Sequence, residues 1–402
     1  MRITLFEWIS PATRSLRFME SFAILGHEVA VVRGIKPNGP EEPSSEFREV
    51  APLHFDATFE IHPRNPLFEL TKAHKLGKLA LATATPSMNN AGFGNPHTLI
   101  PNWLKACELI KNSNCDLIWA TDLDSLPAGI WASQALAVPI VYQADELFQS
   151  LDYINPIWQE EWNQIADKFI PLADCVITVS DDIAEVLRKE NNARNTSVIH
   201  NLTEGSKSKA PATIRDLLSL TDSETLAVIV GNVVEHRGIE FAIQCLRSNQ
   251  RLHVGVVGSG APTYIESLLE LASEFNVSQQ IHFVGNIEYS FLADFLSSAD
   301  FNFMAYSADT SRNHKFSMPN KLFDGLAAGL PTIVCSGTTA GKFLEELGLG
   351  KTYTQDSVES LMNTIINVRE MKSFVDSQKH NFYWDQNLSK IDSVIRLALA
   401  RS

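Results

Sequence analysis

The sequence predicts an α/β protein built from two doubly wound, parallel-sheet domains. Three observations predict it. Short β-rich runs alternate with helical patterns along most of the chain. The alternation is interrupted once, by the polar stretch Thr203–Ala212. The 402 residues are too many for one ordinary core and enough for two.

In the first half, strands are expected at Ile3–Trp8, Val29–Arg33, Asp116–Ala120, Pro139–Tyr142 and Cys175–Ser180. Helices are expected at Arg14–Leu25, Leu126–Ala137 and Asp181–Lys189. Gly26 and His27 close the first helix, and Asp181 and Asp182 favour the positive end of the third. The opening run Met1–Trp8 meets Glu7 too early for a signal peptide and reads as a strand.

The second half restarts with the very apolar strand Leu226–Val230. It continues through strands at His253–Val257, Ile281–Val284, Phe301–Met304 and Thr332–Cys335, with helices at Glu240–Arg247 and Thr263–Phe275. Near the end, Phe382-Tyr383-Trp384 precedes an apolar periodicity at Leu388, Ile391, Val394, Ile395, Leu397 and Leu399, which predicts a last helix. The expected division is an N-terminal domain over 1–205, a linker over 206–222, a C-terminal domain over 223–380, and a segment over 381–402 packing back on the N-terminal domain. Two such domains facing each other across a cleft offer places for two substrates, because ligands of doubly wound sheets bind beyond the carboxyl ends of the strands.

Composition narrows the partners. Lys plus Arg number 33 and Asp plus Glu 47, a formal charge of −14, which argues against a nucleic-acid binder. Any anion must then be held by a local device. The five cysteines are scattered and read as buried small hydrophobes in a reducing cytoplasm. No uncharged apolar run approaches the length that spans a bilayer. The stretch His62–Lys78 carries Arg64, Lys72, Lys75 and Lys78 against Glu69. It fits a solvated helix face, or peripheral contact with an anionic membrane surface or a lipid pyrophosphate. The irregular stretch Thr83–Pro101, with Met88, Phe93 and the nearby Trp103, is a candidate acceptor surface. The dispersed histidines offer no metal-ligand spacing, and no metal or cofactor is expected.

The most informative segment runs from Asn313 to Val334: a loop, a short helix opening at Pro319, a stop at Gly329 and a buried strand. Its helix start carries Asn320, Lys321 and, one turn in, Asp324. Free backbone amides and a mobile ammonium bind anions, and a carboxylate accepts hydrogen bonds from a pair of sugar hydroxyls. The same residues also fit a capped surface helix with a Lys–Asp pair. The segment resembles the donor-site signature of family-4 glycosyltransferases, the retaining enzymes of GT-B fold with two Rossmann-like domains, and is closest to the subgroup carrying Pro-Asn-Lys-Leu-Phe. The resemblance implies that Asp324 binds the ribose of a nucleotide sugar, although the family usually has Glu there. It implies sugar contacts from the backbone of Ser317, Met318 and Pro319.

Three further regions carry the same resemblance. Asp116–Gly129 and Val138–Phe148 are similar to consecutive N-domain motifs, with Thr121 and Asp145 standing where the family has histidines. The family's active-site His maps onto Asp145, with Glu146 a neighbouring candidate. Asp122 is a substrate-binding candidate, and Asp122 and Asp124 also suit capping of the next helix. Gly231-Asn232 through Arg237-Gly238 resembles the first loop of the C-domain, where a basic pair binds the diphosphate. Arg237 keeps one cation; Asn232 replaces the other. Asn286 and Ile287 match the loop that reads the nucleobase, and Arg14 suits acceptor, phosphate or a plain surface helix.

The resemblance implies a metal-independent hexosyltransferase; the cysteine usage points to the cytoplasm, with a peripheral place at the inner membrane face left open. It would take a nucleotide-diphosphate sugar as co-substrate and a glycan, lipid-linked or small-molecule hydroxyl as acceptor, with retention. Asp145, Arg237 and Lys321 are its candidate catalytic residues. Two rivals are a GT-B-fold sugar-nucleotide 2-epimerase and a non-catalytic sugar-nucleotide-binding member.

Overall fold

The computed structural model describes residues 1–7, 13–35, 53–60, 96–151, 154–206, 208–235, 237–305 and 311–400. The expectations for Trp8, the basic stretch 62–78, and Met88 and Phe93 lie outside them. The chain divides into two compact units, 1–199 with 388–402, and 200–387.

Among the described residues, the first unit holds seven parallel strands: β1 (Arg2–Glu7), β2 (Glu28–Ile35), β3 (Leu53–Glu60), β4 (Leu117–Thr121), β5 (Ile140–Ala144), β6 (Cys175–Thr178) and β7 (Thr196–Val198). Their order is β3-β2-β1-β4-β5-β6-β7. The winding reverses between β1 and β4, and the carboxyl ends of these two strands border a ligand-binding crevice in such sheets. The central strands are buried on both faces, as crossover helices require. Trp119 on β4 is fully buried against Phe18 and Phe22 of the helix Thr13–Ile24, with ring centroids 5.0 and 4.9 Å away.

Among the described residues, the second unit holds six parallel strands: β8 (Thr225–Val230), β9 (Leu252–Val257), β10 (Ile281–Gly285), β11 (Phe301–Met304), β12 (Thr332–Cys335) and β13 (Gly350–Tyr353). Their order, β10-β9-β8-β11-β12-β13, reverses between β8 and β11. Along β8, Ala227 and Ile229 enter one apolar cluster while Leu226, Val228 and Val230 enter another, so each face of the strand has its own core.

Residues 206–222, read from the sequence as a linker, belong to the folded second unit. Ile214 is 0% exposed there. Thr213 and Asp216 form a capping box on the short helix Ile214–Leu217. Arg215 joins Asp300 across 2.8 Å. The last helix, Leu388–Leu399, belongs to the first unit, where Val394 lies against Cys175 of β6. All five cysteines are free, four buried and Cys107 half-buried.

Candidate functional site

In the second unit, the loops beyond β8, β9 and β10 remain laced together. Gly231 N–H donates to Val257 O at 2.9 Å, Val233 N–H to Ser259 O at 2.8 Å, and Gly258 N–H to Gly285 O at 2.9 Å. Gly258 must be glycine: its φ is +152°, and a Cβ would lie 1.9 Å from Gly231 O. The β8 loop ends at Arg237. Gly238, with φ +74°, then caps the helix Ile239–Leu246, and a Cβ there would stand 2.1 Å from Ala305 O. Arg237 is thus anchored at the reversal point, between the ends of β8 and β11.

The helix Asn320–Ala327 supplies the opposing groups. Pro319 occupies its N-cap instead of its first turn, and its side chain makes no capping hydrogen bond. Asn302 on β11 docks the helix by donating to Lys321 O at 3.0 Å. Gly325 lets that amide approach, since a Cβ would meet Asn302 Nδ2 at 2.5 Å. Burial is the main cause pushing the Lys321 ammonium down to about 7; the Arg237 charge pushes the same way and Asp324 opposes both. Two cations therefore converge on a helix start, an arrangement suited to an anion that can neutralise both. Asp324, 7% exposed, accepts a hydrogen bond from Tyr289 Oη at 2.9 Å.

The other candidates of this unit are more dispersed. Asn232 and Asn320 are exposed, as is Asn286 at the end of β10, and Ile287 packs half-buried against the core. Ser317 is half-buried. Met318 is only 2% exposed, so its side chain fills the core and its backbone is what remains for sugar contacts.

In the first unit, Arg14 is a buried residue, 2% exposed, and not a surface arginine. Its Nε lies 3.0 Å from Asp145 Oδ1, and its Nη2 donates to Ile199 O at 2.8 Å. Asp145, at the carboxyl end of β5, is also gripped by Gln143, whose Nε2 donates to both carboxylate oxygens at 3.0 and 2.9 Å. Gln143 is held in turn by Trp119 Nε1–H, which donates to its Oε1 at 2.7 Å. Trp119, Gln143, Asp145 and Arg14 thus form one buried-to-half-buried chain. No sequence motif marks Gln143; its one signal is an amide inside the apolar run Ile140–Ala144.

Asp122, in left-handed backbone geometry at φ +60°, sits beside this chain and donates its amide to Gln143 O at 2.8 Å. Burial pushes its carboxyl well above the ordinary range, and the neighbouring Asp145, Asp124 and Glu146 push the same way. Burial also raises Asp124 to about 7, against the amides of Asp124 and Ser125 that pull it down. Glu146 is exposed. Neither Asp caps the helix Leu126–Leu136; Ser125 is its N-cap, and its hydroxyl turns back to Thr121 O. Trp103 is buried, donating to Asp124 O at 2.5 Å, and is not part of an acceptor surface. Among the described residues, no three His, Cys, Asp or Glu side chains gather closely enough to hold a metal ion, and no helix is long and apolar enough to cross a membrane.

Comparison with known proteins places this architecture. Residues 12–204 match the family model "Glycosyltransferase Family 4", and residues 224–370 match "Glycosyl transferases group 1". The chain therefore carries family-4-like glycosyltransferase domains of GT-B fold. Among curated proteins it is 21% identical to the alpha-monoglucosyldiacylglycerol synthase of Streptococcus pneumoniae, over 76% of this chain and 74% of that one. Sucrose-phosphate synthase from Thermosynechococcus elongatus superposes with a TM-score of 0.70 at 18% identity, covering 100% of both chains. Anabaena HepE in complex with UDP-glucose superposes with a TM-score of 0.67 at 16% identity, over 98% of this chain and 99% of that one.

Proposed function

We propose that the protein is a retaining, metal-independent hexosyltransferase that takes a nucleotide-diphosphate sugar in its second unit and a hydroxyl acceptor, glycan, lipid-linked or small, in its first. The observation that carries this reading is the convergence of Arg237 and Lys321 at a helix start whose N-cap is Pro319, with Asp324 one turn behind. Arg237 and Lys321 hold the diphosphate, Asp324 the ribose, and the loop of Asn286 and Ile287 the base. The HepE complex with UDP-glucose and the glucosyldiacylglycerol-synthase relative support a nucleotide-hexose donor.

The reaction balances without an outside reagent. The acceptor oxygen forms a bond to the anomeric carbon as the bond to the diphosphate oxygen breaks. The acceptor proton passes to the departing phosphate. Charge on that leaving group is what the two cations stabilise, and such stabilisation is the largest single contribution in reactions of this type. Asp145, where the family resemblance puts the active-site His, accepts a hydrogen bond from a sugar hydroxyl or offsets developing positive charge on the ring.

One observation favours a non-catalytic binding protein instead: Asp145 is already engaged by Arg14 and Gln143. A thermal-shift screen of nucleotide sugars, followed by incubation of each stabilising donor with and without acceptors, tests the proposal. Transfer with retained anomeric configuration supports it. Binding without transfer to any acceptor, or conversion of donor alone to an epimer, overturns it in favour of one rival or the other.

A further inference from the structure

Asp324 is joined to a partly buried hydroxyl chain that none of the sequence motifs predicts. Tyr289 opens the helix Tyr289–Leu296, directly after the loop of Asn286 and Ile287, and its hydroxyl lies 2.9 Å from Asp324 Oδ1. On its other side that hydroxyl pairs with Thr203 Oγ1. Thr203 is itself fixed: its N–H donates to Phe382 O at 3.1 Å, and its carbonyl accepts from Trp384 N–H at 2.8 Å. A carboxylate only accepts, so Tyr289 gives its single hydrogen to Asp324. Thr203 is then the donor to Tyr289, and the chain Thr203→Tyr289→Asp324 is polarised toward the carboxylate. The loop expected to face the base and the carboxylate expected to face the ribose are thereby tied by one phenol.

We infer that Tyr289, held by Thr203, is the positioning residue that sets the Asp324 carboxylate for the ribose hydroxyls and so makes the site select ribonucleotides over deoxyribonucleotides. The inference rests on the donor-site reading above. It also accounts for an Asp where the related motif has the longer Glu. The shorter side chain reaches less far, and a hydroxyl bonded to one of its oxygens fixes the direction in which the carboxylate faces.

The test measures binding of UDP, GDP, ADP and CDP, each with its 2′-deoxy and 3′-deoxy counterpart, to the full chain and to Tyr289→Phe, Thr203→Val and Thr203→Ser. Tyr289→Phe keeps the ring and deletes only the hydroxyl. The wild type should prefer one ribonucleotide over its deoxy form by about tenfold or more, the range for a hydrogen bond to a charged group. That ratio should collapse toward unity in Tyr289→Phe, fall partway in Thr203→Val and survive in Thr203→Ser, with folding monitored by circular dichroism. A ribose-to-deoxyribose ratio unchanged in both hydroxyl-deleting variants overturns the role of Tyr289 while leaving the donor reading standing. Failure of the wild type to bind any of the nucleotides overturns both.

Discussion

Lys321 gives the proposed donor site a pH dependence whose size follows from the structure. Its ammonium is held at about 7 by burial and by Arg237, far below the 10.5 of a solvated lysine. A bound diphosphate adds negative charge beside it and returns it toward the ordinary value. Binding therefore takes up a proton: about half a proton at pH 7 and nearly a whole one at pH 8.5. The sign is fixed by the direction of the shift. Affinity is fully present below pH 7 and is lost as pH rises through and beyond it. Between pH 7 and 8.5 the protonated fraction of free Lys321 falls from about a half to about 3%, so affinity weakens about 16-fold, or roughly 1.6 kcal/mol. Calorimetry with a nucleotide sugar, in buffers of different ionisation enthalpy, measures both the affinity and the protons taken up. A nucleotide sugar is the right probe because its diphosphate is a diester with no ionisation of its own in this range. Lys321→Arg, which stays charged throughout, should flatten the profile. Equal affinity at pH 6.5 and 8.5 with no proton uptake would refute the reasoning.

Other outcomes follow from the same geometry. Asp124→Asn should stabilise the fold above pH 7 by up to about 4 kcal/mol, because the raised carboxyl favours the folded state only while protonated; the gain should vanish near pH 4 in denaturant titrations across pH. Asp145→Asn takes from the buried Arg14 guanidinium its nearest and larger countercharge and should cost about 3 kcal/mol of stability, measured by urea unfolding. Gly238→Ala drives a methyl into Ala305 O at a left-handed position and should cost at least about 2 kcal/mol in the same assay, whereas Gly26→Ala, with equal left-handed geometry but open space around it, should cost less.

Much of this structure is legible in the residues, and the gaps have physical reasons. Alternating strands and helices announce themselves because a parallel sheet buries both faces of strands such as Leu226–Val230. The edge strands β3 and β7 and the short β13 carry weaker signals; β7 has three residues, and β13 opens on Gly350 and an exposed Lys351. The stretch 206–222 looks like a linker because it is polar, yet the spacing Thr213–Asp216 of a capping box beside Ile214 was there to be read. Arg237, Lys321 and Asp324 emerge from local motifs. Tyr289 does not, since its partners are 35 and 86 positions away and only the fold joins them. The sequence leaves Arg14 open to a surface helix, because burial of a lone arginine follows from its partner, Asp145, which lies just past a strand far along the chain.

The central claim is that Arg237 and Lys321 stabilise the departing diphosphate during sugar transfer. Its most direct test is the initial rate of acceptor-dependent nucleoside-diphosphate release by Arg237→Ala and Lys321→Ala, each with folding verified, against the wild type. The account predicts losses of about a hundredfold or more in turnover for each. Near-normal transfer in both variants would contradict it.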